Sequence, residues 1–282
     1  MNHLLSPSWP AVLTVAGYDP SAGAGIAADL KTLAAHGCYG VAAITALTVQ
    51  NTLGVSAVYP TDPGVLRDTV KALLADGQVK AIKIGMLAIR ANAEAVAEVL
   101  RTNPQIPSVL DPVFRSSSGM DLADSACQEF LREQLIGCVS VITPNLSEAS
   151  LMTGLRVENQ DAMKAAARKL VEMGARAVVV TGGHLDKAID VLFDGVSLEV
   201  FVGDRVKPDN THGTGCTFSS AIAANLALGR HLRDALVLAK AYVTEAIRKA
   251  YAVGPGRVPL NHLYRMMQPA RDHSPADSER GL

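Results

Sequence analysis

The sequence predicts an α/β domain in which a mostly parallel central sheet is covered by helices on both faces. Three observations predict it. Short apolar runs alternate with longer helical segments along almost the whole chain, as is typical of βαβ units. Glycine-rich or polar residues follow the apolar runs, as is usual where parallel strands end at a ligand site. With 282 residues, 49% of them hydrophobic, the chain can bury one large core without disulfides or metals.

The first βαβ unit is predicted from residues 12–49. Residues 12–16 form an apolar run typical of a buried strand, and the glycine-rich loop 17–25 follows it. A helix is predicted over residues 26–36, where Gly37 ends it, and a second strand over residues 39–49. A loop of ligand-binding size therefore follows the first strand.

This loop also fits a relaxed dinucleotide-binding fingerprint, Gly23-x-Gly25-x-x-Ala28. That fingerprint needs an acidic residue about 20 positions later to bind the ribose hydroxyl. The second strand instead ends in Thr-Val-Gln-Asn at residues 48–51. The sequence therefore disfavours a dinucleotide site.

The remaining elements follow from the same patterns. Strands are predicted over residues 55–59, 81–84, 108–110, 139–143 and 177–180. Helices are predicted over residues 63–76, 92–101, 122–136, 147–153, 161–173 and 232–251. The runs 189–193 and 196–202 flank Asp194-Gly195 and predict an antiparallel hairpin at a sheet edge. Because no change in composition divides the chain, residues 1–268 are expected to form one domain, with 269–282 as a flexible polar tail.

Composition disfavours several classes of function. The formal net charge is −1 and the lysines and arginines do not cluster, so neither a nucleic-acid nor a membrane surface is expected. No apolar stretch approaches the roughly 20 residues that span a bilayer. The four cysteines are widely spaced, which indicates reduced thiols, and residues 1–10 lack the features of a signal peptide. A cytoplasmic location is therefore expected.

The stretch 210–220, Asn-Thr-His-Gly-Thr-Gly-Cys-Thr-Phe-Ser-Ser, predicts a site for an anion. Gly213 and Gly215 flank Thr214 and allow a sharp turn into a helix whose first amides are exposed. Cys216 lies in this first turn, where the helix dipole is expected to lower its pKa so that it can act as a base. The alternative is a plain glycine turn with Cys216 as a small apolar residue of the core.

Seven segments match one family. They read GYDPSAGAGIAADLKT (17–32), TALTVQNT (45–52), KIGML (83–87), DPV (111–113), TPNLSEA (143–149), GGH (182–184) and NTHGTGC (210–216). Together they resemble the hydroxymethylpyrimidine/phosphomethylpyrimidine kinases of thiamin biosynthesis, in the ribokinase superfamily. The resemblance implies a single ribokinase-like three-layer domain that uses ATP and Mg2+. The enzyme would phosphorylate 4-amino-5-hydroxymethyl-2-methylpyrimidine and then its monophosphate, and it would be a homodimer.

The resemblance also assigns residues to the pyrimidine. A primary amide is the bidentate complement of an aminopyrimidine edge, and Gln50 supplies one. Asp29 and Met86 are expected to line the pocket, and Gly17 allows close approach of its backbone. The alternatives are a solvent-facing glutamine, a helix-surface acid and a core methionine.

On the nucleotide side, Asn145 and Glu148 are expected to hold a hydrated Mg2+, with Asp111 as a further ligand in its outer shell. An N-cap with a capping-box glutamate is the alternative for the first two. The resemblance places Thr181, Gly182 and Gly183 along the nucleotide. The amides of Gly213, Thr214, Gly215 and Cys216 would then receive the transferred phosphoryl group.

One loop departs from the family. Relatives usually carry Ala-Lys-Ser-Gly after Asp111, whereas residues 116–119 here read Ser-Ser-Ser-Gly. In relatives this lysine is expected to bind the phosphate of the monophosphate in the second phosphorylation. Arg115 is the candidate substitute for it here. The loop 113–121 is also polar and predicted to be mobile. His184 and His212 are interpreted as local loop partners.

Two other functions compete with this one. The first is a pyridoxal or pyridoxine kinase of the same superfamily, which would use the same anion site. The second is a nucleotide-binding module without turnover.

Overall fold

The computed structural model of the chain describes residues 9–183, 185–208 and 210–266. The predicted tail 269–282 and His184 lie outside the described residues. Within those residues, no helix combines the length and the apolar character needed to traverse a bilayer.

A nine-stranded sheet forms the centre of the fold, in the order β3-β2-β1-β4-β5-β6-β7-β8-β9. The strands β2, β1, β4, β5, β6 and β7 pair in parallel, whereas β3 and the β8–β9 hairpin are antiparallel at the two edges. Their bounds are β1 Ala11–Tyr18, β2 Tyr39–Asn51, β3 Gly54–Pro60, β4 Val79–Ile84, β5 Ser108–Leu110, β6 Val141–Ile142, β7 Val178–Gly182, β8 Ala188–Phe193 and β9 Leu198–Gly203. The predicted parallel sheet with an edge hairpin is confirmed.

Helices cover both faces of this sheet, which confirms the three-layer architecture. One apolar core packs α2 to α6 against the sheet, and a second core packs α1, α7 and α8 against the other face. The helices are α1 Gly25–Ala35, α2 Pro63–Ala75, α3 Arg90–Thr102, α4 Ser125–Glu133, α5 Leu146–Thr153, α6 Gln160–Glu172, α7 Thr214–Ala227 and α8 Leu232–Arg248.

Three local predictions differ from the structure. The helix predicted over 122–136 begins only at Ser125, because the Asp124 side chain accepts a hydrogen bond from the Cys127 amide and caps it there, and its C-terminal part is a separate 3-10 turn. The strand predicted over 139–143 is reduced to Val141–Ile142. A two-stranded parallel sheet of β10 (Thr211–His212) and β11 (Val258–Pro259) was not predicted.

The glycine-rich loops before α1 and α7 touch each other. Gly213 has φ of 85°, and a Cβ added to it would lie 1.9 Å from the carbonyl oxygen of Gly23. Gly25 has φ of 55°, and its added Cβ would lie 2.3 Å from the carbonyl oxygen of Gly17. Both positions therefore need glycine for conformation and for space. This contact joins the ends of β1 and β10, where the candidate site lies.

Candidate active site

Helix α7 begins with exposed backbone amides, as predicted. Its N-cap, Gly213, has no side chain to cap them, and the first intrahelical bond runs from the Thr217 amide to the Gly213 carbonyl, 2.9 Å. Within the described residues, the amides of Thr214, Gly215 and Cys216 have no hydrogen-bond acceptor. Such amides, with the positive end of the helix dipole, suit an anion.

The Cys216 thiol differs from its prediction. Although part of this residue reaches solvent, burial raises the pKa of the thiol to about 12; Lys83 opposes this rise, and Asp111 and Asp29 add to it. A helix dipole contributes about 0.3–1 kcal/mol, less than one pKa unit, whereas burial shifts a pKa by up to about 3–5 units. The expected lowering is therefore wrong, and the thiol is neutral at pH 7 in this state.

A buried ion pair lies beneath the start of α7. Lys83 Nζ lies 2.9 Å from Asp29 Oδ2, and both side chains are fully buried. Asp29 also accepts hydrogen bonds from the hydroxyls of Thr14, 2.6 Å, and Ser220, 2.7 Å. Asp29 was predicted to line the pyrimidine pocket, but it lines neither of the two cavities described below. Its carboxylate, on α1, instead contacts side chains of β1, β4 and α7.

Lys83 was missed as a site residue. Burial alone would lower its pKa, but the charges of Asp29 and Asp111 and the hydrogen bond to Asp29 outweigh burial and raise it. The lysine is therefore charged. A lone charge inside the apolar run Ala-Ile-Lys-Ile at 81–84 was the signal that could have identified it.

Two buried carboxyl groups lie at the ends of β5 and β6. Burial raises the pKa of Asp111 to about 6; Lys83 lowers it, Asp29 raises it, and hydrogen bonds from Cys216 and Ser219 lower it. Burial, and next the charge of Asp111, raise the pKa of Glu148 well above its usual value. Two buried carboxylates that repel each other are a chemically suitable pair for a cation.

The capping-box alternative for Asn145 and Glu148 is realised. Asn145 Oδ1 accepts from the Glu148 amide, 3.0 Å, and Glu148 Oε2 accepts from the Asn145 amide, 2.8 Å. In the part of the chain that the structure describes, no three His, Cys, Asp or Glu side chains form a metal cluster. The two neighbouring carboxyls of Asp111 and Glu148 fit a Mg2+ ion bound by one or two carboxylates, waters and substrate phosphates, which is how this ion is usually held.

The predicted nucleotide residues lie together at the ends of β6 and β7. Asn145 and Thr181 form a parallel bridge, and the Thr181 amide donates to the Pro144 carbonyl, 2.9 Å. A Cβ on Gly182 would lie 2.8 Å from the Ile189 carbonyl oxygen, whereas Gly183 has open space around it. Gly182 therefore has no space for a side chain, whereas Gly183 is exposed and has such space.

Of the residues predicted for the pyrimidine, Gly17 and Met86 contact each other, whereas Gln50 lines two cavities that neither of them lines. An added Cβ on Gly17 would lie 2.8 Å from Met86 Sδ, and Met86 packs with Ala46 and Ala88 in a small apolar cluster. Gln50 lines a cavity of about 10 Å³ and a second one of about 480 Å³. The smaller one has room for one water molecule only.

His212 is more than the local loop partner that was predicted. Its Nε2 lies 3.0 Å from Asp19 Oδ2 and 2.9 Å from Gln50 Nε2, and its Nδ1 lies 3.2 Å from Ser117 Oγ. It therefore connects the start of α7 with the first glycine loop, β2 and the 116–119 turn.

Asp19 was also missed, although Asp-Pro-Ser is a typical turn signal. Its carboxylate accepts from the amides of Ser21, 2.8 Å, and Ala24, 2.9 Å. Burial raises its pKa, but hydrogen bonds from His212, Ser21 and Ala24 outweigh burial and lower it. Asp19 therefore stays ionised and holds the glycine loop in shape.

The hydrogen bonds around Gln50 fix the orientation of its amide. Thr48 Oγ1 lies 2.9 Å from the Tyr18 carbonyl and 3.2 Å from Gln50 Oε1, yet a hydroxyl has one proton to donate. If the amide is turned over, its NH2 donates to Thr48 and its oxygen accepts from His212 Nε2–H. In this orientation the single His212 Nε2–H is shared between Gln50 and Asp19 Oδ2, 3.0 Å away, and one amide proton is left for a ligand.

The loop 113–121 forms a turn beside Gln50, and its predicted mobility stays a prediction. Arg115 pairs with Asp121, 2.6 Å, and both side chains are more than 60% exposed. Arg115 lines neither cavity, so the structure does not support it as the substitute for the missing lysine. Arg257, which the sequence analysis did not single out, lines the smaller cavity instead.

Comparison with known sequences gives a consistent result. The model of the phosphomethylpyrimidine kinase family matches residues 19–261. A hydroxymethylpyrimidine/phosphomethylpyrimidine kinase of Aquifex aeolicus is 43% identical over 86% of this chain and 96% of its own length. The thiamine biosynthesis bifunctional protein ThiED of Geobacter sulfurreducens is 44% identical over 89% of this chain, which spans about half (52%) of that relative.

Solved structures also resemble this one. An ADP complex of Bacillus subtilis pyridoxal kinase has a TM-score of 0.83 and 36% identity, covering 92% of this chain and 99% of that one. A phosphomethylpyrimidine kinase from Clostridium difficile has a TM-score of 0.75 and 39% identity, covering 84% and 99%. A Staphylococcus aureus pyridoxal kinase in complex with AMP-PCP and pyridoxal has a TM-score of 0.82 and 33% identity, covering 92% and 96%.

Proposed function

The chain belongs to the phosphomethylpyrimidine kinase family, and we propose from this that it phosphorylates 4-amino-5-hydroxymethyl-2-methylpyrimidine and then its monophosphate. The phosphoryl donor is ATP, and the product serves thiamin diphosphate synthesis. The structural observation that supports this assignment is the set of amides at residues 214–216, which have no acceptor in the described part of the chain and are connected through His212 to Gln50.

In the first step the chain positions an alcohol and stabilises charge. Gln50 donates to a ring nitrogen, and Gly17 and Met86, which pack so closely that an added Cβ on Gly17 would lie 2.8 Å from Met86 Sδ, border the pyrimidine ring. The amides of residues 213–216 bind the transferred phosphoryl group as its charge develops. A Mg2+ ion held by Glu148 and Asp111, partly through water, would neutralise charge on the nucleotide phosphates.

Proton transfer in the first step involves Cys216. Because its thiol is neutral at pH 7, it takes the alcohol proton only as it passes its own proton to Asp111. Asp111, with a pKa of about 6, is ionised at pH 7 and accepts a hydrogen bond from Cys216. The second step needs no base, because the phosphate of the monophosphate is already ionised. The Cys216 thiol therefore acts in the first step alone, whereas its backbone amide serves in both.

Pyridoxal phosphorylation is the second candidate function. It is favoured by the high TM-scores of the two pyridoxal kinases, one of which contains pyridoxal. Turnover of pyridoxal and of the pyrimidine alcohol, measured side by side, separates the two functions. A binding module without turnover would release no ADP with either substrate.

We also propose that the enzyme is a homodimer through the outer face of β2 and β3. Leu47, Val49 and Tyr59 are 52%, 52% and 63% exposed, and Tyr18 adjoins them. Leu47 pairs with both Tyr18 and Tyr59, so these side chains share one face. Light scattering on Leu47→Asp would show a monomer.

Four free cysteines support the proposed cytoplasmic location.

Mass analysis of the products tests the function. With Mg-ATP and the pyrimidine alcohol, the expected products are the monophosphate first and the diphosphate later. Preferred formation of pyridoxal phosphate, or no ADP at all, would contradict the proposal.

A further inference from the structure

The smaller cavity beside Gln50 has one notable charge. Among the described residues that line it, Arg257 is the only lysine or arginine. Its guanidinium donates to the backbone carbonyl of Ser117, and no described carboxylate pairs with it. Because Arg257 is half-buried and the partner of its guanidinium among residues 9–183, 185–208 and 210–266 is a neutral carbonyl, its charge is available to an anion.

The fold fixes Arg257 next to the start of α7. Its amide donates to the Thr52 carbonyl, 2.8 Å, and the next amide, of Val258, donates to Asn210, 3.1 Å. Val258 then pairs with Thr211 in the β10–β11 sheet. A Cβ on Gly256 would lie 2.1 Å from the carbonyl oxygen of Thr52, the residue after β2, so the backbone at Gly256 packs directly against that carbonyl. Arg257 is thereby held at the cavity that Gln50 and His212 also line.

We expect the phosphate of the monophosphate substrate to need a cation beside Gln50. It carries a dianionic phosphate on the carbon that the first substrate presents as an alcohol. The 116–119 turn brings no charge there, because residues 116–118 are serines and Arg115 pairs with Asp121 outside the cavity. A guanidinium can bind two phosphate oxygens at once, which a backbone amide cannot.

We propose that Arg257 binds the phosphate of the pyrimidine monophosphate and is a specificity-determining residue of the second phosphorylation. The cavity as it stands holds one water molecule, so binding requires the guanidinium to leave the Ser117 carbonyl and open the cavity, after which it binds two phosphate oxygens. A third phosphate oxygen forms the new bond to the γ-phosphorus of ATP, and the bond from that phosphorus to the β,γ-bridging oxygen breaks with the electron pair on ADP. The inference rests on the proposed function.

The test compares both substrates in one set of variants. Arg257→Gln keeps polarity without charge, Arg257→Lys keeps charge without the planar fork, and Arg115→Gln is the matched control at an exposed arginine. The values kcat and KM are measured with Mg-ATP for the alcohol and for the monophosphate, and melting temperatures show whether each variant folds.

We expect Arg257→Gln to lose about 10- to 100-fold in kcat/KM with the monophosphate, mainly through KM. Its loss with the alcohol should be at least tenfold smaller, Arg257→Lys should recover part of the difference, and Arg115→Gln should match the wild type. Equal losses on both substrates, or none, in either Arg257 variant would overturn the inference. A wild type that turns over the alcohol but never the monophosphate would also overturn it. A wild type inactive on both would instead refute the proposed function, and the inference would fall with it.

Discussion

Replacing Lys83 with methionine removes the charge of the buried ion pair while nearly keeping the side-chain volume. In the wild type Lys83 Nζ lies 2.9 Å from Asp29 Oδ2, and neither side chain is exposed. The variant would leave Asp29 with two hydroxyl donors, from Thr14 and Ser220, but without a countercharge. Asp111 would also lose the charge of Lys83, which lowers its pKa in the wild type.

The expected cost is large because the remaining charge stays buried. Removing one partner of a buried pair lowers the free energy of unfolding by about 3–5 kcal/mol. Adding Asp29→Asn removes the uncompensated charge and should restore part of the loss, with a coupling energy of about 2 kcal/mol. Lys71 provides the control, since it bonds Glu98 at 2.8 Å but both side chains are about half exposed. Lys71→Met should lower the free energy of unfolding by less than about 1 kcal/mol.

Urea denaturation at pH 7 of the two single variants, the double variant and Lys71→Met measures these values. The reasoning would be refuted if Lys83→Met cost no more than Lys71→Met. It would equally be refuted if the two substitutions were additive to within about 0.5 kcal/mol, the limit for independent sites.

Three further predictions follow from the same geometry. The folded pKa of Asp111, about 6, exceeds its ordinary 3.8, so the folded state binds more protons between these values and the free energy of unfolding falls as pH rises through them. Asp111→Asn should therefore gain up to about 3 kcal/mol relative to the wild type between pH 4 and pH 7 in urea titrations, and no gain would contradict this. Gly213→Ala should lower the free energy of unfolding by more than about 2 kcal/mol through backbone strain and the clash with Gly23. Gly229→Ala is the control, because Gly229 has φ of 79° but open space around it, and it should lower this free energy by about 1–2 kcal/mol. Equal melting temperatures of the two variants would argue against the close contact. Cys216→Ala should slow the first phosphorylation about 100-fold or more and spare the second, and equal slowing in a product time course would exclude the base role.

The glycine motifs and the fold could be predicted because their signals are local. Alternating apolar runs define the sheet, and Gly213 and Gly25 mark turns whose φ values only glycine adopts easily. The hairpin turn at Asp194-Gly195 is equally local. Two-residue strands such as β10 and β11 have no periodicity, so no pattern could indicate them.

The remainder of the site depends on contacts between distant parts of the chain. Gln50 meets His212 across 162 residues, and nothing near either residue indicates the partner. The pKa of Cys216 depends on burial under other elements, which outweighs the dipole of its own helix. Arg257 lies at the cavity only because β11 pairs with β10. Sequence patterns predict which residues form a turn, but not what that turn packs against.

Amide chemical shifts test most directly whether residues 214–216 receive the phosphoryl group. The protein is titrated with Mg-ADP, aluminium fluoride and the pyrimidine alcohol, which together mimic the transferring group, and with Mg-ADP alone as the control. The account predicts that the amides of Thr214, Gly215 and Cys216 shift strongly only in the complete mixture. Unchanged shifts at these three amides in a protein that turns over the alcohol would contradict it.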